Sequence, residues 1–85
     1  EIRYIEGLKD YVKIHTDGKT IVSLMSMKIL AEELPDNFVR VHRSFIVNFE
    51  RITLVQKRKV HIQQVEIPIG EVYREAFLDK LKQER

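Results

Sequence analysis

A short stretch of alternating apolar and polar residues, followed by an Asp-Gly pair and a second β-rich stretch, constrains the fold of this chain most strongly. Residues 11–16 read YVKIHT and residues 20–24 read TIVSL. A period of two is typical of a half-buried β-strand. Asp17-Gly18 between them is a strong hairpin signal, because both residues tolerate the backbone angles of tight turns. The sequence therefore predicts a strand, a turn and a second strand here.

Further strands and two helices are predicted along the rest of the chain. Ser26 is a suitable cap for a helix over residues 27–34, whose apolar side chains are spaced to pack on a sheet. A turn is expected at residues 42–44, and Gly70 introduces a terminal helix over about residues 71–82. Further strands are expected at residues 2–5, 38–41, 45–47, 52–56, 60–63 and 65–68. The apolar positions are Met27, Ile29, Leu30 and Leu34 in the first helix, and Val72, Phe77, Leu78 and Leu81 in the second.

Length and charge indicate one small domain with an uneven charge distribution. With 85 residues, 44% of them hydrophobic, the chain can bury one modest core, so we expect a single domain over residues 1–85. The net charge of +2 is too small to indicate nucleic-acid binding by itself. The cations are grouped along the sequence, which predicts one basic side of the domain. These groups are Arg40, His42 and Arg43; Arg51; and Lys57, Arg58, Lys59 and His61.

Several functional classes find no support in the residues. The chain has no cysteine, which excludes disulfides, thiolate zinc sites and cysteine nucleophiles. No apolar run approaches the roughly 20 residues needed to cross a bilayer. The three histidines fall on separate predicted strands, and the sequence contains no GxSxG, HExxH, P-loop or GxGxxG motif. We therefore expect neither an enzyme nor a cofactor or metal site.

Residues 38–48, FVRVHRSFIVN, combine an apolar anchor with a polar, cationic surface. Guanidinium groups that are held by such an anchor lose less rotamer entropy when they bind a partner. An anion-rich partner is therefore indicated, with phosphate as the obvious candidate.

Four segments in order then resemble one known family. They are YIEGLKDYVKIHT at residues 4–16, SMKILAEEL at 26–34, RVHRSFIVN at 40–48 and IPIGEVYREAF at 67–77. Together they resemble the LytTR family of bacterial DNA-binding domains over nearly the whole chain, with residues 40–48 as the most specific element. Relatives usually carry Ser and one or two basic residues where this chain has Gly70, Glu71 and Val72.

The resemblance implies a fold, a function and a cellular setting. The fold would be mainly β, with small packed antiparallel sheets, one internal helix and one C-terminal helix. The domain would read double-stranded DNA from loops, as the output domain of a cytoplasmic two-component response regulator, on paired direct repeats. A receiver domain would precede it and a sensor kinase would signal to it. The chain would then be the C-terminal part of a longer protein, without the family's first strand.

By this resemblance, residues 7–11, 42–44 and 70–74 would meet DNA. Lys9 would bind phosphate or guanine, Asp10 would accept from a cytosine amine, and Tyr11 would donate to phosphate, unless these residues simply form a solvated loop with a half-buried tyrosine. Arg43 is the best single candidate, since its planar fork matches phosphate or a guanine edge. The expected DNA contacts are Lys9, Asp10, Tyr11, Arg40, Arg43, Ser44, Asn48 and Arg74.

Some of these residues also have structural interpretations. Ser44 could cap the turn, and Asn48 could satisfy backbone groups where the chain turns after an apolar run. We expect His42 and Phe45 to be structural, because a histidine between Val41 and Phe45 is more often a hydrogen-bonded part of the fold. No second ligand at metal spacing accompanies the histidine. The Lys57-Arg58-Lys59 run is expected to be a solvated hairpin turn that adds long-range attraction at most.

Two other binding functions remain open at this stage. A protein-interaction module would bind a partner segment along its β-sheet edges, with the basic residues serving only solubility. RNA binding is less favoured, because the chain lacks the aromatic RNP pattern and the GXXG loop of common RNA-binding modules.

Overall fold

The structure is a computed structural model that describes residues 1–83, and this part of the chain is mainly β. A single turn of 3-10 helix, Phe49–Arg51, lies between the fifth and sixth strands. The α-helices are α1 Met27–Glu33 and α2 Glu71–Gln83. The strands are β1 Ile2–Gly7, β2 Val12–Thr16, β3 Thr20–Ser23, β4 Phe38–His42, β5 Phe45–Asn48, β6 Leu54–Val55, β7 Lys59–Ile62 and β8 Val65–Pro68.

The strands form two antiparallel sheets. The larger has the order β3-β2-β1-β5-β4, and the smaller has the order β6-β7-β8. The predicted hairpin around Asp17-Gly18 is present, with Ile14 paired to Ile21. The predicted fold class is therefore confirmed: small antiparallel sheets with one internal and one C-terminal helix.

Alternation along β1 and β5 divides the core between the two faces of the larger sheet. Ile5 pairs with Ile46, and both are buried with Leu30 of α1 on one face. Tyr4 pairs with Val47, and both are buried on the other face. The cluster on that second face is completed by the smaller sheet, β4 and α2, through Val41, Val60, Ile62, Ile67, Ile69 and Phe77. The larger sheet is thus covered on both faces, by α1 on one and by the smaller sheet with α2 on the other.

The first helix begins where the sequence predicts. The Oγ atom of Ser26 accepts a hydrogen bond of 3.1 Å from the backbone N–H of Ile29, which satisfies one of the free donors at the helix start. The buried face is narrower than the apolar spacing predicts, however, because Ile29 is exposed. Leu30 is the buried residue of this helix.

The apolar face predicted for the terminal helix is wrong in part. Phe77 is fully buried, whereas Val72 and Leu78 are exposed. Phe77 is the buried residue of α2, and it joins the core cluster that includes Val41 of β4 and Val60, Ile62 and Ile67 of the smaller sheet. The exposure of Val72 places an apolar side chain in solvent at the start of α2.

Two further expectations need correction around residue 50. The strand predicted at residues 52–56 is reduced to Leu54–Val55, because the 3-10 turn precedes it. Arg51 does not join a common basic side, since its guanidinium donates to the carboxylate of Asp17 in the β2–β3 turn. This hydrogen bond lowers the pKa of Asp17 below its usual value.

Candidate functional site

The β1–β2 loop, residues 7–11, is a tight turn that presents two charged side chains. The backbone N–H of Leu8 donates to the carbonyl oxygen of Tyr11 at 2.8 Å, which closes the turn. Lys9 and Asp10 lie between these two residues, and both are exposed. No ion pair involves Lys9 within residues 1–83, so its ammonium is available to an anion.

The β4–β5 turn, residues 42–44, lies directly beside this loop. Antiparallel pairing of β1 with β5 places Glu6 opposite Phe45, and the N–H of Gly7 donates to the carbonyl oxygen of Ser44 at 2.7 Å. Because β-sheet pairing continues into the loop, the two segments are held at one end of the larger sheet. Tyr11, predicted as a DNA contact, is half-buried here.

His42 and Phe45 hold this turn from inside. The N–H of Ser44 donates to Nδ1 of His42 at 3.0 Å, which requires that nitrogen to be unprotonated. The rings of His42 and Phe45 meet edge to face, with centroids 5.6 Å apart. These contacts support the structural roles expected for both residues.

Arg40 and Arg43, the two arginines within residues 40–48, have different surroundings. Arg40 donates through Nη2 to the carbonyl oxygen of Arg43 at 2.6 Å and through Nε to that of His42 at 3.4 Å. Its guanidinium also lies 5.5 Å from the ring centroid of Tyr73. The side chain of Arg43 is exposed at the tip of the turn. Arg40 therefore braces the turn, while the side chain of Arg43 is exposed to solvent.

The third predicted segment, residues 70–74, meets the same turn from the other side. The N–H of Gly70 donates to the carbonyl oxygen of Val41 at 2.7 Å. A Cβ atom at Gly70 would lie 3.2 Å from Cδ2 of Tyr73 and 3.5 Å from Cδ2 of His42. A side chain at residue 70 would therefore require the Tyr73 ring to shift by a few tenths of an ångström, whereas its distance from His42 would be an ordinary van der Waals contact. We call the surface formed by residues 7–11, 42–44 and 70–74 the loop face.

The basic Lys57-Arg58-Lys59 turn borders the loop face. Its sequence alone predicts only a solvated turn. Residues 56–59 close the β6–β7 hairpin, and Nε of Arg74 donates to the carbonyl oxygen of Lys57 at 3.1 Å. Arg58 lies 3.6 Å from the carboxylate of Glu71 at the start of α2. Lys57 and Arg58 are exposed. The charge run was visible in the sequence, but its place beside α2 depends on the packing of the two sheets.

Asn48 lies at the opposite end of the larger sheet, and its side chain is occupied by the fold. It is 7% exposed, and its Nδ2 donates to the carbonyl oxygen of Ile2 at 2.9 Å. Its Oδ1 accepts from Nδ2 of Asn37 and from the N–H of Glu50, which caps the 3-10 turn. The amide of Asn48 is thus engaged within the fold, as in the structural interpretation of this residue, and it lies away from the loop face.

The remaining predicted contacts divide by position. Arg40 and Arg74 lie at the loop face, but each donates to a backbone carbonyl oxygen, so their positive charge can attract a partner while part of each guanidinium is engaged. Ser44 is half-buried, with its backbone N–H and carbonyl both bonded. The exposed charged side chains of the predicted set are those of Lys9, Asp10 and Arg43.

Neither a metal centre nor a membrane span is found in the described part of the chain. No group of three or more His, Cys, Asp or Glu residues among residues 1–83 is arranged to hold a metal ion. No helix within those residues is both long and apolar enough to span a bilayer.

The fold and the loop face together define a small β domain that presents cationic turns from one end of a sheet. The family model of the LytTr DNA-binding domain matches residues 1–82, so the chain belongs to this family. The resemblance read from the sequence is thus confirmed. The family is one of DNA-binding domains and not of enzymes.

One solved structure carries the same fold. It is described as the LytTr DNA-binding domain of a methyl-accepting/DNA response regulator from Bacillus cereus. The two chains are 24% identical, the match covers 94% of this chain and 80% of that chain, and the TM-score is 0.84. No curated protein matches the chain.

Proposed function

We propose that this domain binds double-stranded DNA sequence-specifically through the loop face. The observation that carries the proposal is that three segments far apart in the sequence meet at one end of the larger sheet. Two backbone hydrogen bonds of 2.7 Å join them, from Gly7 to Ser44 and from Gly70 to Val41. Membership of a DNA-binding family indicates the ligand, and the loop face brings together exposed cations from two turns, Lys9 and Arg43, that form no ion pair within residues 1–83.

The three segments would divide phosphate contacts, which position the domain on DNA, and base contacts, which recognise the sequence, among them. Lys9 and Asp10, at the corner of one tight turn, are suited to base edges, since lysine can bind guanine and a carboxylate can accept from cytosine. Arg43 is braced by the fold and suited to a phosphate. Tyr11, Ser44 and Arg74 would add phosphate contacts at the margins.

The setting that fits this activity is a bacterial two-component transcription regulator. In this proposal the domain is the output half of a cytoplasmic protein whose receiver domain takes a signal from a sensor kinase. It binds paired direct repeats, one copy of the domain to each repeat. The similar Bacillus cereus domain comes from a protein described as a response regulator, which supports the proposal by analogy of fold.

Selection of bound sequences from a random pool of DNA duplexes tests the proposal directly. We expect enrichment of a short motif, repeated in the same orientation. The doubly substituted Lys9→Ala, Arg43→Ala chain should fail to enrich it. Lys19→Ala is the matched control, because Lys19 is an exposed lysine in a hairpin turn at the opposite end of the same sheet. A pool that stays random with the unsubstituted chain would contradict the proposal.

A second candidate is a protein-interaction module, and one observation favours it. β3 is an edge strand of the larger sheet, and it carries the exposed apolar side chains of Ile21 and Val22. A partner strand could pair with such an edge. Binding of this kind would not need DNA and would persist in the Lys9→Ala, Arg43→Ala chain, so the same variant separates the two functions.

A further inference from the structure

Val72 is a highly exposed apolar side chain at the second position of α2. It is 88% exposed, and its helix propensity is low, so neither core packing nor helix formation favours valine at this position. A shallow groove at the loop face is lined by Val72 together with His42, Arg43, Gly70, Glu71 and Tyr73. Val72 therefore lines the same groove as Arg43, the residue that we propose to bind phosphate.

The neighbouring residues restrict what this part of the loop face can contact. Residues 70–72 offer a glycine, a carboxylate and an isopropyl group, and none of these carries a positive charge. The carboxylate of Glu71 would repel a phosphate at close range. Cations lie on either side, at Arg43 and at Arg58, which is 3.6 Å from Glu71. The start of α2 is thus a non-cationic strip between positions suited to phosphates.

Base edges in the major groove include one group that matches an exposed isopropyl side chain. The C5-methyl group of thymine is the apolar feature of that groove, and aliphatic side chains read it by contact. On this basis we propose that Val72 contacts the C5-methyl group of a thymine in the major groove, and so helps to specify one position of the bound sequence. This inference rests on the proposed function and assigns a specificity-determining residue to it.

The contact predicts a defined change in affinity. Burial of one methyl group contributes about fourfold in an equilibrium constant. Deoxyuridine differs from thymidine in a duplex only by the absence of this methyl group. Replacing the relevant thymine by deoxyuridine should therefore raise Kd by about fourfold for the unsubstituted chain. The same replacement should have little effect on Val72→Ala, because alanine lacks the two methyl groups that extend the valine side chain toward the contact.

The experiment scans each thymine of the selected duplex, one at a time, with the unsubstituted chain, Val72→Ala and Leu54→Ala. Leu54 is the matched control, because it is an exposed aliphatic residue on β6 that lies in a groove with Leu81, toward the far end of α2. Leu54→Ala should behave as the unsubstituted chain at every thymine. Melting temperatures of all three proteins show whether any loss of affinity comes from unfolding.

The outcomes separate this inference from the proposed function. One thymine whose methyl group matters to the unsubstituted chain but not to Val72→Ala supports the contact. If the domain binds its duplex and no thymine behaves in this way, Val72 does not read a thymine methyl group, and the proposed function still stands. An equal loss of affinity by Val72→Ala on every duplex would likewise overturn the inference. Failure of the unsubstituted chain to bind any duplex specifically would overturn the proposed function instead.

Discussion

Polar residues of one short motif serve two different purposes in this domain. His42 and Arg40 direct their polar atoms inward, to the N–H of Ser44 and to the carbonyl oxygens of the turn. Arg43, which follows His42 directly in the sequence, is exposed. A residue pattern alone cannot separate these purposes, since both need hydrogen-bonding side chains. The separation depends on which neighbours the turn offers, and this is a property of the folded chain.

The first prediction at this scale concerns His42. His42→Ala removes the acceptor for the Ser44 N–H and the ring that packs on Phe45, so we expect the free energy of unfolding to fall by about 1–3 kcal/mol. Chemical denaturation measures this, with Arg43→Ala as the control that should unfold like the parent. If the histidine variant is as stable as the parent but has lost affinity for DNA, His42 is a contact residue and the structural role is wrong.

The second prediction separates base reading from phosphate contact. Lys9→Ala should relax the preference at one base pair, by roughly 1–3 kcal/mol, because Lys9 lies with Asp10 at the corner of an exposed turn. Arg43→Ala should weaken binding by a similar factor on every sequence. Affinities for a panel of single-base-pair variants of the selected duplex measure both effects, and Lys19→Ala should change neither. Uniform losses for both loop variants would contradict this division.

At the scale of elements, turn and capping residues correctly predict the turns and helix ends that they form with nearby backbone groups. Asp17-Gly18 predicted the β2–β3 hairpin, and Ser26 predicted the start of α1, because each acts through backbone groups a few residues away. The sequence also predicts a turn after Asn48, but not the 3-10 form that it takes at Phe49–Arg51. It depends on an Asn48 side chain that also bonds to Ile2, a residue 46 positions away. Long-range contacts of this kind leave no periodic trace in a sequence.

The apolar face of α2 is another feature that the sequence predicts only in part. The spacing of Val72, Phe77 and Leu78 is helical, and the helix is present. Which of these residues is buried depends on where α2 crosses β4 and the smaller sheet, and only Phe77 among them is buried. The same packing brings the Lys57 turn beside Arg74, and this extends the basic surface next to the loop face.

A prediction at this scale concerns the β6–β7 turn. Lys57 is exposed, and its carbonyl oxygen accepts a hydrogen bond from Arg74, so this residue lies at the border of the loop face. We expect Lys57→Ala to weaken binding about equally on all sequences and to reduce the salt slope of binding by about 1, as for one phosphate contact. Lys82→Ala is the control, since Lys82 is an exposed lysine in the last turn of the same helix as Arg74. An unchanged salt slope for Lys57→Ala would mean that the turn is merely solvated.

For the whole molecule, the arrangement of charge matters more than its total. A net charge of +2 on 85 residues gives little general attraction to DNA. Several cations away from the loop face are paired, as in Arg51 with Asp17 and Lys59 with Glu66. Lys9 and Arg43 have no such partner among the described residues. The grouping of the cations along the chain is visible in the sequence. Which of them share one surface is determined by the packing of the two sheets.

The last prediction tests this arrangement through salt. Each phosphate that the domain neutralises releases condensed counterions and contributes roughly −0.9 to the slope of log K against log salt. About four to six contacts from the loop face and the neighbouring Lys57 turn therefore predict a slope of roughly −4 to −5. Titrations of the selected duplex from low to physiological salt measure it, and Arg43→Ala should be less steep by about 1 while Lys19→Ala keeps the parent slope. A flat response would mean that these cations do not meet phosphates, and the DNA-binding role of the loop face would have to be abandoned.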